Sequence, residues 1–322
     1  MRVCIMVEGQ EDVTWDQWLA LAVACERHRL DGLFRSDHYL SVSDPEFSIT
    51  PEKTRGSLDA WCTIAALAAA TSQITLGTLV SPATFRHPSV LAKSFATADQ
   101  ISGGRVELAV GAGWWKDEHI AYGFPFPPLA TRMGVMAEQL EIVRRSWGEE
   151  LFSFDGEHYR IEQLDARPKP SRPWLIVGGD AGPRSARLAA TWADEYNINQ
   201  VGVGECARRR SRVAAAWEAA GRDPARLRFS LMTGALVAED RAGLRERASA
   251  LARWWRRDVT PDDLIAELSG VWFVGTGTEV AAKLMTYAEA GVDRVMFQHH
   301  LHWDLASIEL IGRDVVPAVA ST

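Results

Sequence analysis

The chain has 322 residues, 47% of them hydrophobic, with a formal net charge of -7 and a pI of about 5.7. That length suffices for one large core, and the acidic balance argues against nucleic acid or an anionic membrane as partner. Cys4, Cys25, Cys62 and Cys206 form no C-x-x-C pair, which speaks against a zinc cluster or a disulfide framework and for a reducing cytoplasm. The opening "MRVCIMVEGQ" lacks the long apolar run and cleavage site of a signal peptide. No stretch reaches the roughly 18 unbroken apolar residues of a membrane span. Basic runs such as Arg208-Arg209-Arg210 fall in helix-like segments and read as solvated faces.

Strands and helices alternate along the chain. "RVCIMV" (2–7) is an apolar strand. Trp15, Trp18, Leu19, Ala22 and Val23 then fall on one helical face, opened by a capping box of Thr14 and Gln17. A strand at 32–36 leads into a polar loop with Pro45 and Pro51. Next come a helix at 58–71, a strand at 74–80, a helix at 87–102 with proline in its first turn, and a strand at 105–111. The segment 112–131 is rich in Gly, Pro and aromatics and reads as a long loop, followed by a helix at 132–147. A D-G step in "LFSFDGEHYRIEQ" signals a hairpin.

Strands resume at 173–179, 194–198 and 228–237, separated by helices at 183–192 and 204–220. Helices fill 239–268, and "VWFVG" is a short strand. A helix with capping pair Thr276 and Glu279, a strand at 293–298 and a helix at 303–319 complete the chain. About eight strand-then-helix units with continuous apolar strands predict an α/β fold, a (β/α)8 TIM barrel forming one domain over 1–322. The long segments at 38–57, 112–131 and 238–270 follow strands, so they are insertions at the C-terminal rim, where barrel enzymes hold their sites.

The strand exits carry the chemistry. Strand two ends at Asp37-His38, strand three at Leu79-Val80, strand four in "GAGWW" (111–115), strand five in "GGDAG" (178–182), and strand six near Asn197. An acid beside a histidine is either a turn cap with a packed ring or a pair that addresses a bound ring by hydrogen bonding and proton transfer. Glycine turns opening toward helices let backbone N–H groups approach an anion. Two at adjacent strand ends point to a phosphate-bearing ligand, although Asp180 counts against anion binding. His299, His300 and His302 lack acid or cysteine partners at ligand spacing, so they read as pocket-wall residues and no metal is expected. Thirteen tryptophans are many for this length; core packing is their default use, and surplus aromatic surface also suits a flat ligand.

The stretches "SDH" (36–38), "LGTLVSPATFRHPSVLAK" (76–93), "ISGGRVELAVGAGWWKDEHIAYGFPFPP" (101–128), "GGDAGPRSARLAATWADEYN" (178–197) and "GTGTEVAAKLMTYAEAGVDRVMF" (275–297) resemble the bacterial luciferase-like superfamily. They are most similar to its branch dependent on the deazaflavin coenzyme F420. The resemblance implies a flavin or deazaflavin across the barrel mouth, with Asp37 and His38 beside its ring as catalytic and binding residues. It makes Leu79-Val80 a non-proline cis peptide behind the ring. Ala112, Gly113 and Trp114, with Gly178, Gly179, Asp180, Ala181 and Gly182, would cradle the cofactor tail, and Thr84 and Asn197 would be further contacts. In the sugar-phosphate dehydrogenases of this branch an acid follows the glycine turn of strand four; here Trp114 stands in its place. That departure, and the missing lysine and arginine set, turn the expectation from glucose 6-phosphate toward a flatter, apolar or aromatic organic substrate.

Three functional readings follow. The first is a cytoplasmic oxidoreductase that moves hydride with reduced coenzyme F420. The second is a monooxygenase using reduced FMN from a separate reductase. The third is a cofactor-binding protein without turnover. The resemblance also carries an expectation of homodimers.

Overall fold

A computed structural model describes residues 1–41 and 55–320. Pro45 and Pro51 lie outside the described residues. The chain opens with β1 (Arg2–Val7) and α1 (Trp15–Arg27). The Thr14 hydroxyl accepts from the Gln17 amide and the Gln17 carboxamide accepts from the Thr14 amide, the reciprocal cap its sequence predicts. Then follow β2 (Gly32–Arg35), α2 (Ala60–Ala70), β3 (Thr75–Thr78), the two-residue β4 (Ser81–Pro82), α3 (Pro88–Ser102) and β5 (Val106–Gly111).

Segment 112–131 is not all loop: it contains α4 (Lys116–Ala121). The buried residues of this helix are Glu118 and His119, so it has no apolar stripe to betray it. After α5 (Leu129–Gly148) comes the hairpin of β6 (Phe152–Asp155) and β7 (Arg160–Leu164). Its turn is longer than a two-residue one and is held by Glu138 of α5, whose carboxylate accepts from the amides of Glu157, His158 and Tyr159.

The second half runs β8 (Trp174–Gly178), α6 (Pro183–Trp192), β9 (Glu195–Asn199), α7 (Val203–Ala219) and β10 (Arg228–Ala238). It continues through α8 (Arg241–Trp254), α9 (Pro261–Leu268), β11 (Phe273–Thr276), α10 (Gly277–Glu289) and β12 (Arg294–Gln298). The last predicted helix is divided into α11 (Leu305–Leu310) and α12 (Val316–Ala320) by a π-helical turn at Ile311–Val315. There Gly312 meets the end of α1 so closely that a Cβ would lie 2.4 Å from the His28 carbonyl oxygen.

Strands β1, β2, β3, β5, β8, β9, β10 and β12 pair in parallel in that order, and β12 returns to β1 to close a (β/α)8 barrel. Alternate residues face opposite cores. Cys4, Met6, Phe34, Leu79, Ala109, Ile176 and Met296 fill the interior. Ile5, Leu33, Leu108, Leu175 and Phe297 pack outward against helix residues such as Trp18, Phe95, Leu140 and Trp217. Strand β10 outruns the barrel: Ser230–Gly234 pair with β12, while Ala235–Ala238 pair with β11. Beyond it, Leu236, Leu244, Ala248, Leu251, Leu264, Leu268, Trp272 and Leu301 build a second small core with α8 and α9.

The interior is ionic at its base and glycine-lined at its top. Arg294, at the start of β12, donates from Nη1 to Glu107 of β5 at 2.6 Å and from Nε to Glu195 of β9 at 3.1 Å. Its Nη2 also donates to Glu195. All three side chains are at most 3% exposed. At the other end the Leu79-Val80 peptide is cis, as the resemblance implies. The Val80 isopropyl group fills the space where side chains of β5 and β8 would stand: a Cβ on Gly111 would lie 2.6 Å from Val80 Cγ2, and one on Gly178 2.7 Å from Cγ1.

Two outcomes follow. Arg294→Met removes the guanidinium hydrogen-bonded to both buried carboxylates and is expected to cost about 3–5 kcal/mol. Urea unfolding at neutral pH measures this; a loss below about 1 kcal/mol would contradict the role given to the triad. Gly111→Ala overfills the mouth and is expected to cost about 1–3 kcal/mol. Val80→Ala in the same chain should recover part of that loss, and strict additivity in a double-mutant cycle would argue against direct contact.

Candidate functional site

At the exit of β2, Asp37 is 1% exposed and accepts from Ser81 Oγ at 2.7 Å and from Arg86 Nη1. Arg86 Nη2 donates to Asp59 at 2.8 Å and to the Tyr39 hydroxyl at 3.0 Å. Asp59 in turn caps α2 by accepting from the Cys62 amide. Burial alone would lower the Arg86 guanidinium, but Asp37, Tyr39 and Asp59 together outweigh it and hold the guanidinium above its ordinary range. Asp37 is thus tied to the exit of β3 and the start of α2. Arg86 was not singled out from the sequence, although it lies within the quoted stretch 76–93.

His38 points a different way. Its Nδ1 lies 2.8 Å from Glu118 Oε2. Glu118 Oε1 accepts from the backbone amides of Tyr39, at 2.5 Å, and Leu40, at 3.1 Å. A carboxylate only accepts, so the shared proton sits on Nδ1. Trp114 and Trp115 flank the imidazole edge-on, with ring centroids 5.7 and 6.1 Å away. Burial alone would lower the His38 pKa; the hydrogen bond and charge of Glu118, with Glu8 and Asp37, outweigh it and raise it. Glu118 was also missed in the sequence. Its signal was position: it stands four residues after Trp114, one helical turn along.

Beside this pair, Glu8 at the end of β1 accepts from Gln10 Nε2 at 2.8 Å and from Gln298 Nε2. Gln200 Nε2 donates to Gln298 Oε1 at 3.1 Å, so the exits of β1, β9 and β12 share one amide network. His300 stacks on Trp272 with centroids 5.0 Å apart, and His302 meets Trp254 edge-on. Burial pushes His300 down to about 3, and His299 and His302 to about 4, so all three are neutral wall residues. Among the described residues, no group of three or more His, Cys, Asp or Glu side chains is placed to hold a metal ion.

The glycine turns complete the rim. Gly113 has φ +77°, and a Cβ there would lie 3.0 Å from Thr84 Oγ1. Thr84 Oγ1 is 2.7 Å from His119 Nε2, while His119 Nδ1 donates to the Trp115 carbonyl, so the Thr84 hydroxyl is the donor to Nε2. In the second turn the Gly179 amide donates to the Asn197 carbonyl at 3.1 Å, and the Ala181 amide to the Tyr196 hydroxyl at 2.9 Å. Helix α6 begins at Gly182 without a side-chain cap, and a Cβ on Gly182 would meet nothing within 4 Å. Asp180 is exposed and pairs with Arg209 at 2.9 Å. The Asn197 side chain is buried and donates to Ser230.

His38, Trp114, Val80, Ala112, Gly113 and the turn 178–182 therefore stand at strand exits around one mouth. Leu79 and Asn197 lie below it in the packed interior, and Asp37 and Thr84 are held by neighbouring side chains. A glycine-lined mouth with an uncapped helix start on one side suits a ring with an anionic tail.

Comparison with known proteins gives relatives, a fold neighbour and a family. The chain is 30% identical over 330 residues to a protein of Mycobacterium tuberculosis described as an F420-dependent hydroxymycolic acid dehydrogenase, covering 97% of this chain and 87% of that one. It is 27% identical over 320 residues to an F420-dependent glucose-6-phosphate dehydrogenase of Segniliparus rotundus, covering 93% and 92%. An F420-dependent secondary alcohol dehydrogenase solved with an F420-acetone adduct superposes with a TM-score of 0.81 at 20% identity, over 99% of each chain. Residues 2–294, from β1 to the first residue of β12, match the family model of luciferase-like monooxygenases, and the chain belongs to that family.

Proposed function

We propose that this protein is an oxidoreductase that binds coenzyme F420 across the barrel mouth and transfers hydride to or from a small organic substrate. The observation that carries the reading is the His38 imidazole, set at the mouth by a fully buried carboxylate and flanked by two tryptophans. When bound, the reduced deazaflavin supplies hydride from ring carbon C5. His38 holds or releases a proton at Nε2 as charge develops on the substrate. Asp37 acts as an anchor for the β3 exit through Ser81 and Arg86. The turn 178–182 and the first turn of α6 receive the tail phosphate, with Asp180 kept to Arg209.

Supporting the cofactor are the relatives at 27% and 30% identity whose names include F420, and Gly182 at the start of α6, where a Cβ would meet nothing within 4 Å. Trp114 is 57% exposed beside His38, which favours a flat or apolar substrate over a sugar phosphate. The lack of a membrane-spanning helix among the described residues, and four cysteines without a disulfide, support a cytoplasmic protein. We read residues 1–322 as one domain, in line with the span of the family match.

The family description supports a second reading, a monooxygenase using reduced FMN. Titrating tryptophan fluorescence with oxidised and reduced forms of both cofactors separates the two. The expected result is saturable quenching by the deazaflavin. His38→Ala should then lose about 10²-fold or more in turnover while binding the cofactor within a few-fold of the parent. Affinity for reduced FMN alone, with oxygen uptake on adding substrate, would replace this proposal by the second reading.

A further inference from the structure

In the sugar-phosphate dehydrogenases of the branch that the sequence resembles, an acid directly follows the glycine turn at the end of the strand corresponding to β5; this chain has Trp114 there. The structure supplies a different acid one turn later. Glu118 is 0% exposed and lies in a helix of six residues. A carboxylate so buried is tolerated only when its oxygens are fully hydrogen-bonded. Here one oxygen takes two backbone amides from the segment after His38, and the other faces His38 Nδ1. The remaining ring nitrogen, Nε2, has no hydrogen-bond partner among the described residues, and the His38 side chain keeps 14% exposure.

We propose that Glu118 is the positioning residue of this site: it fixes His38 with the proton on Nδ1, aims Nε2 at the mouth, and provides the counter-charge that makes His38 the proton donor. The inference rests on the reading of His38 as the acid/base of an oxidoreductase. In the direction of carbonyl reduction, the C5–H bond of the reduced deazaflavin would break, the deazaflavin would be oxidised, and the hydride electron pair would form the new C–H bond at the carbonyl carbon. The C=O π pair moves onto oxygen, which takes the proton from Nε2. The N–H bond electrons stay on the imidazole, which then regains a proton from water. Glu118 sits on the Nδ1 side of the ring and does not touch the reacting atoms.

The charges around the imidazole agree. Glu118 approaches from α4, Glu8 from the end of β1 and Asp37 from its own strand. Arg86 is committed to Asp37 and Asp59. His119, the other ionisable neighbour on α4, is pushed down by burial and donates from Nδ1 to a carbonyl, so it adds no positive charge at neutral pH. Three acids against one imidazole favour the imidazolium, and Glu118 is the only one of them bonded to it.

The test compares the parent with Glu118→Gln and Glu118→Asp. In cofactor-free protein, the His38 imidazole is titrated by NMR. The expected result is a lower midpoint in Glu118→Gln and partial recovery in Glu118→Asp. With cofactor and a carbonyl substrate, kcat/KM of Glu118→Gln should fall about 10²-fold. The alkaline decline in rate, which follows deprotonation of His38, should move to lower pH. In a His38→Ala background, Glu118→Gln should cost nothing more, because it acts through the absent imidazole. An unchanged His38 midpoint, or equal losses in both backgrounds, overturns the proposal. Should Glu118→Gln fail to fold, the nitrogen shifts of His38 in the parent decide: a neutral form protonated at Nε2 overturns it, one protonated at Nδ1 supports it. Absence of deazaflavin binding would sink the functional reading alone, since the NMR result is obtained without cofactor.

Discussion

One guanidinium joins three walls of this barrel. Arg294 starts β12, and its partners Glu107 and Glu195 start β5 and β9, so a single buried cation reaches strands from three places around the ring. Arg2 and Arg172 stand 3.9 and 3.8 Å from Glu107 at the periphery, too far to replace it. Such a cluster gains little over apolar packing of the same shape, yet loses much when one member is removed. Its effect is on register. Shifting any of the three strands by one residue would turn its charge outward and leave the others unpaired. The same face of β12 then carries Met296 at mid-height and Gln298 at the mouth.

With the base closed by charge, reactive groups collect at the open end. Two acids, one after β2 and one after β5, receive opposite treatment. Asp37 is neutralised by Arg86 and serves the backbone around it. Among the described residues Glu118 has no arginine partner; its oxygens face two amides and an imidazole. The difference in pairing decides which acid influences a proton at the mouth.

Much of this was legible in the sequence because it rests on repeating patterns. Apolar strands alternating with amphipathic helices gave away the barrel, and the capping boxes at Thr14 and Thr276 marked helix starts that the structure reproduces. The cis Leu79-Val80 peptide was reached through family resemblance, since nothing in its composition announces it. What stayed hidden are polar residues in buried positions. Nothing local marks Glu107, Glu195, Arg294, Glu118 and Arg86 as buried, because their partners come from distant segments. The interruption of the final helix was equally invisible, because Gly312 records a contact with α1 that no local pattern contains.

The length of β10 has an architectural consequence. Its first residues belong to the barrel and its last four to β11, so one continuous strand is both frame and bracket. The bracket carries α8 and α9 with their own apolar core, and that core presents Trp254, Trp255 and Trp272 beside the histidines after β12. Frame and wall are thus separately tunable. Substitutions in α8 or α9 reshape one side of the mouth while the closed ladder and its ionic base stay as they are. A lineage can refit this protein to a new substrate through that appendage without renegotiating the fold.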